Sequence, residues 1–60
     1  MKTTIWLKGK TKSKDAIEYP DCYPIFFFGW PGKRVDIRDI KGVIHGTYAY
    51  DNVARMEHRP

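Results

Sequence analysis

A helix needs a window free of glycine, proline and β-branched interruption, and in these 60 residues only Asn52 to His58 could supply even about two turns. Apolar side chains recur instead at every second position, the period of a strand with one buried face. Over Thr3 to Lys8 the odd residues Thr3, Ile5 and Leu7 are predicted to face a core and the even residues Thr4, Trp6 and Lys8 to face out. A short strand follows at Ala16 to Tyr19, which Pro20 is expected to stop because it cannot donate to a ladder. Tyr19 to Pro24 reads as a turn with two X-Pro bonds, and the run Ile25-Phe26-Phe27-Phe28 as a central strand buried on both faces.

Trp30-Pro31-Gly32-Lys33 carries proline and glycine at the two central positions of a type II turn. Beyond it Val35 and Ile37 alternate with Arg34, Asp36 and Arg38, the pattern of a half-buried strand with a solvated, charge-paired outer face. Lys41-Gly42 marks a break. Val43 to Tyr50 gives a strand or a tight hairpin in which Tyr48 and Tyr50 share a face, Asp51-Asn52 a turn or single 3₁₀ turn, and Val53 to Glu57 a last strand with Ala54 and Met56 on its other side. These elements predict an all-β, single-domain protein spanning residues 1–60, an antiparallel sheet curled into a five-stranded barrel-like fold with no substantial helix. The final third, Val43-Ile44-His45-Gly46, then Tyr48 and Tyr50, then Val53 to Glu57, is similar in hydrophobic spacing to the closing strands of small Sm-like or Src-homology-type barrels and to the ends of short phage-encoded β-proteins. Such barrels host many unrelated binding roles, so the resemblance implies a fold and no particular function.

A domain this short buries about 60% of its unfolded surface, so disulfides, a metal or a partner commonly supplement the core. Cys22 is the single cysteine, which excludes an internal disulfide and fits a reducing compartment. Cys22, His45 and His58 lack the paired spacings of a zinc site, so no metal and no cofactor is expected. The opening apolar run Ile5-Trp6-Leu7 is broken at Lys8, too short for a secretion signal, and nothing approaches a membrane span; the expected place is the cytoplasm.

Charge is polarised. Residues 1–14 hold five lysines and no acid, while residues 15–60 hold six basic and seven acidic side chains, leaving a near-neutral body and a net charge of +4. Lys8, Lys10, Lys12 and Lys14 share the parity of Trp6, so an extended segment would present all five from one face at a repeat of about 6.6 Å, near the reach between phosphates of a stretched single strand. The glycine, serine and charges of residues 9–14 also fit a mobile loop, the protruding end of a hairpin, or an edge protected by charge.

Nine aromatics exceed what a small barrel can enclose. If Ile25 and Phe27 face the core, Phe26 and Phe28 share the other face with Trp30 and need a cover, which points to an interaction surface. For catalysis, no spacing joins Cys22, Ser13 or a threonine to His45 or to His58, which is expected to be mobile near the C-terminus; Asp21 beside Cys22 would disfavour a thiolate. The expected function is therefore non-enzymatic: a short accessory protein, of the kind phages encode, that docks on a cellular protein with an acidic surface and modulates or inhibits it, using Trp6, Phe26, Phe28 and Trp30 with Lys8, Lys10, Lys12 and Lys14. The alternative is a single-stranded nucleic-acid binder using the same aromatics and lysines. A homodimer that buries its own aromatic patch is a third reading.

Overall fold

The computed structural model describes residues 1–30 and 32–60 and has six strands among them: β1 (Lys2–Leu7), β2 (Ile17–Pro20), β3 (Cys22–Gly29), β4 (Gly32–Asp39), β5 (Ile44–Ala49) and β6 (Val53–Arg59). They form two three-stranded antiparallel sheets in the orders β2-β1-β6 and β3-β4-β5. The expected all-β fold is present, but as two sheets, with no sheet closed into a barrel.

The extra strand comes from the segment read as a turn. Only Asp21 turns: it adopts a left-handed φ of 57°, which aspartate tolerates, and its N–H donates to the Met1 carbonyl at 2.8 Å. At this one-residue corner the chain passes from β2 in one sheet to β3 in the other. Pro20 and Pro24 lie within β2 and β3, which are edge strands, where a missing N–H is tolerated. The run Ile25 to Phe28 is thus in an edge strand, not the expected central one. The chain returns from β5 to β6 through a 3₁₀ turn at Tyr50–Asn52, as the Asp51-Asn52 pair predicts. The expected turn at Trp30-Pro31-Gly32-Lys33 includes Pro31, outside the described residues; Gly32 stands opposite Gly29 as the first residue of β4.

Between the sheets lie Ile5, Cys22, Val35 and Ile37, each at most 1% exposed, surrounded by Leu7, Tyr19, Tyr48, Val53 and Met56. The inward parity read for β1 and β4 is observed. In β6 the register against β1 shifts, pairing Trp6 with Arg55 and Leu7 with Val53, so Ala54 is an extra residue. This bulge brings Val53 and Met56 to the same core, where strict alternation would have separated them. In β3 the parity is the reverse of the expectation: Phe26 pairs with Val35 on the inner face, while Ile25 and Phe27 pair with Asp36 and Arg34 on the outer one.

Polar groups fasten the sandwich. The Thr3 hydroxyl donates to the Cys22 carbonyl at 2.9 Å, so its 3.0 Å contact with His58 requires the Nδ1–H of the imidazole as donor. His58 is therefore held in β6 and is not a loose end. Tyr19 and Tyr48 meet edge to face, 6.4 Å between centroids, and their hydroxyls hydrogen-bond. Burial, and then this bond, push the Tyr19 phenol well above its ordinary pKa.

The tyrosine pair leaves no room at Gly46, where a Cβ would stand 2.5 Å from the Tyr19 hydroxyl oxygen and 3.2 Å from Cε2 of Tyr48. Gly46→Ala should cost about 1–3 kcal/mol in urea unfolding, with partial recovery when Tyr19→Phe removes the clashing oxygen. An alanine variant as stable as wild type would contradict this packing.

Candidate functional site

β3 and β4 outrun the rest of the sandwich. β5 accompanies β4 only to Arg34, opposite Ala49; beyond it Lys33 and Gly32 are paired with Phe28 and Gly29 alone. A two-stranded ribbon has no third strand to share its burial, and exposure climbs along it from 40% at Phe26 to 63% at Phe28 and 98% at Trp30. Phe26, Phe28 and Trp30 are thus exposed as the sequence predicts, although Phe26 and Phe28 emerge on the side of the ribbon that faces inward farther back.

These rings form an ordered ridge. Phe26 and Phe28, two residues apart on one strand face, lie parallel with centroids 6.0 Å apart, and Tyr50 packs edge-on against both at 6.1 and 5.4 Å. Tyr50, read in the sequence only as sharing a face with Tyr48, was not singled out as a contact residue; that shared side is the one on which it meets Phe26 and Phe28. Beside the ridge, Phe26, Val35, Tyr50, Val53 and Met56 help wall a groove of about 200 Å³. Rings already braced against one another lose little freedom on binding a partner.

The basic segment meets the ridge at this turn. Lys8 N–H donates to the Asn52 carbonyl at 3.0 Å, tying the Lys8–Gly9 turn to the one that carries Tyr50, and Lys33 pairs with Phe28 across the ribbon. Lys8, Lys10, Lys12 and Lys14 are all exposed. They do not form an alternating row: Gly9 turns the chain at φ 78°, Lys10 N–H returns to the Leu7 carbonyl, and Ser13–Asp15 is a 3₁₀ turn closed by the Asp15 carboxylate on Lys12 N–H.

Trp6 does not join them. It is 8% exposed, its indole lies under the Arg55 guanidinium at 4.5 Å, and with Thr4, Ser13 and Ala16 it lines a cleft of about 280 Å³ on the far face of β1. The prediction of an exposed Trp6 fails because the ring of this even position on β1 lies under the long Arg55 side chain, in a cleft that Ser13 and Ala16 also line.

The charged face of β4 is also less wet than expected. Asp36 is 1% exposed and accepts from Arg38 Nη2 at 2.7 Å, Thr47 Oγ1 at 3.1 Å and Arg34 Nε at 3.2 Å. The Arg38 bond is the main reason its carboxyl is held below the usual carboxylate range, against the opposing effect of burial. A carboxyl whose pKa is depressed on folding adds stability above its unfolded pKa of about 4 and loses it as pH falls through the folded value. Stability should therefore decline as pH drops below about 4, and more shallowly in Asp36→Asn. Asp39, lowered chiefly by its bond to His45, keeps some slope in that variant. Equal acid slopes in urea midpoints measured from about pH 6 to 2 would count against a structural role for the Asp36 carboxylate.

The structure does bring a threonine to His58, but the Thr3 hydroxyl is fully buried and donates to the Cys22 carbonyl, so the pair is not arranged as a base beside an accessible nucleophile. Cys22 is buried, and that burial, then Asp39 and Asp21, push its thiol up. His45 is engaged with Asp39 at 2.9 Å, and the same Asp39 accepts from Lys41 and Val43 N–H to shape the turn between β4 and β5. No three His, Cys, Asp or Glu side chains among the described residues converge as a metal-binding group, and no helix there is long and apolar enough to cross a membrane. No known protein family, curated protein or solved structure matches this chain.

Proposed function

We propose that this chain is a small non-enzymatic binding protein that docks on a cellular protein through Phe26, Phe28, Tyr50 and Trp30. Lys8, Lys10, Lys12 and Lys14 steer it toward an acidic surface, and the bound protein is modulated or inhibited by occlusion. One observation carries this reading: an ordered, solvent-facing aromatic ridge at a projecting hairpin end, tied by a backbone hydrogen bond to the lysine-bearing turn. Interface centres are rich in such aromatics, and cationic neighbours accelerate encounter with an acidic partner. Trp6, being buried, leaves the proposed contact set.

A single-stranded nucleic-acid platform receives less support, since the lysines do not track a row and Phe26 and Phe28 turn their faces to each other rather than leaving both open for bases. The test is capture from cell extract, with and without nuclease treatment, on immobilised wild type beside the double variant Phe28→Ala/Trp30→Ala. A discrete protein retained by wild type and lost from the variant fits the proposal. Capture that disappears with nuclease, or that ignores the double substitution, contradicts it.

A further inference from the structure

On the face of the β3-β4-β5 sheet opposite the ridge, Arg34 and Arg38 of β4 are held in a way that neither surface position requires. Asp36, between them on β4, points away from the core and yet is buried, bonded to Arg34 Nε, Arg38 Nη2 and Thr47 Oγ1. Both guanidinium groups lie over the single ring of Phe27, their Cζ atoms 4.4 and 5.5 Å from its centre. Removing a carboxylate from water is costly, and an apolar side chain of similar volume often serves stability as well or better. Arg38 Nε is in addition a buried donor with no acceptor among the described residues, so the cluster is not tuned for stability alone.

What Asp36 does supply is orientation. Arg34 spends only Nε on it, leaving both Nη groups without a hydrogen bond among the described residues on a side chain that is 51% exposed; Arg38 spends only Nη2. Two arginines against one carboxylate leave one positive charge uncompensated. We propose that Arg34 and Arg38, fixed by Asp36 and laid over Phe27, form a cradle for one oxyanion, the phosphate or carboxylate group of a ligand. Planar guanidinium forks match the oxygens of such a group, and their ordering is already built into the fold.

The test is an NMR titration of the four arginine Nε–Hε signals with inorganic phosphate and, separately, acetate, at about pH 6.5 and constant ionic strength balanced with chloride. Arg34 and Arg38 should shift saturably while Arg55 and Arg59, the internal controls, do not. Saturation with phosphate alone assigns a phosphate group, and with acetate alone a carboxylate. Arg34→Lys, at a half-exposed position that should not disturb folding, keeps the charge but loses the fork and should bind about fivefold weaker or worse. Asp36→Asn raises the local charge and releases the forks, so it should also bind more weakly, whereas plain charge attraction would make it bind more tightly. Parallel drift of all four signals, or undiminished binding by either variant, would overturn the cradle.

Discussion

Trp6→Ala should bring the protein to the edge of unfolding at room temperature, while Trp30→Ala should leave its urea midpoint unchanged. The two tryptophans differ in exposure, 8% against 98%, and in what surrounds them. Truncating a buried tryptophan removes its transfer free energy and opens a cavity, about 3–5 kcal/mol together. A domain of this length holds on the order of 5 kcal/mol in all. Arg55 would also lose the ring it lies over. Trp30 has almost nothing to lose, because its side chain is in water. Urea melts followed by circular dichroism distinguish the pair. A Trp6 variant with wild-type stability would mean that the far face of β1 is not packed as described.

The second large effect is on binding. With a captured partner in hand, Phe28→Ala and Trp30→Ala should each weaken affinity by about 2 kcal/mol or more, roughly thirtyfold in Kd, seen mostly as faster dissociation. Replacing Lys8, Lys10, Lys12 and Lys14 with glutamine should instead slow association and flatten its salt dependence, with a smaller change in dissociation. Surface plasmon resonance at two salt concentrations separates the two classes. Ridge variants that dissociate like wild type would remove the aromatics from the contact.

The strands that the sequence made legible are those with clean alternation. Val35 and Ile37 against Arg34, Asp36 and Arg38 could be assigned to faces because one-sided burial leaves a period of two, and Thr3, Ile5 and Leu7 likewise. Ile25 to Phe28 could not, since four consecutive apolar residues carry no parity, and its true phase depends on pairing with β4, a tertiary fact. The bulge at Ala54 shifted the phase of β6 for the same kind of reason. The corner at Asp21 was hidden between two prolines that signal a longer turn. Exposure of Phe28 and Trp30 was legible from the surplus of aromatics over core volume. Burial of Trp6 was not, because Arg55, which lies over its ring, and Ser13 and Ala16, which line the same cleft, come from elsewhere in the chain. The buried Asp36 escaped because alternating charges on a strand look the same whether they are solvated or locked together.

Site-specific photo-crosslinking in cells reads most directly whether the hairpin end is the surface that meets a protein. A benzophenone amino acid placed at Phe28 or Trp30 should yield one discrete protein adduct, and the same group at Tyr23, on the outer face of β3 away from the ridge, should not. Adducts to nucleic acid, or equal protein adducts from all three positions, would contradict the central claim.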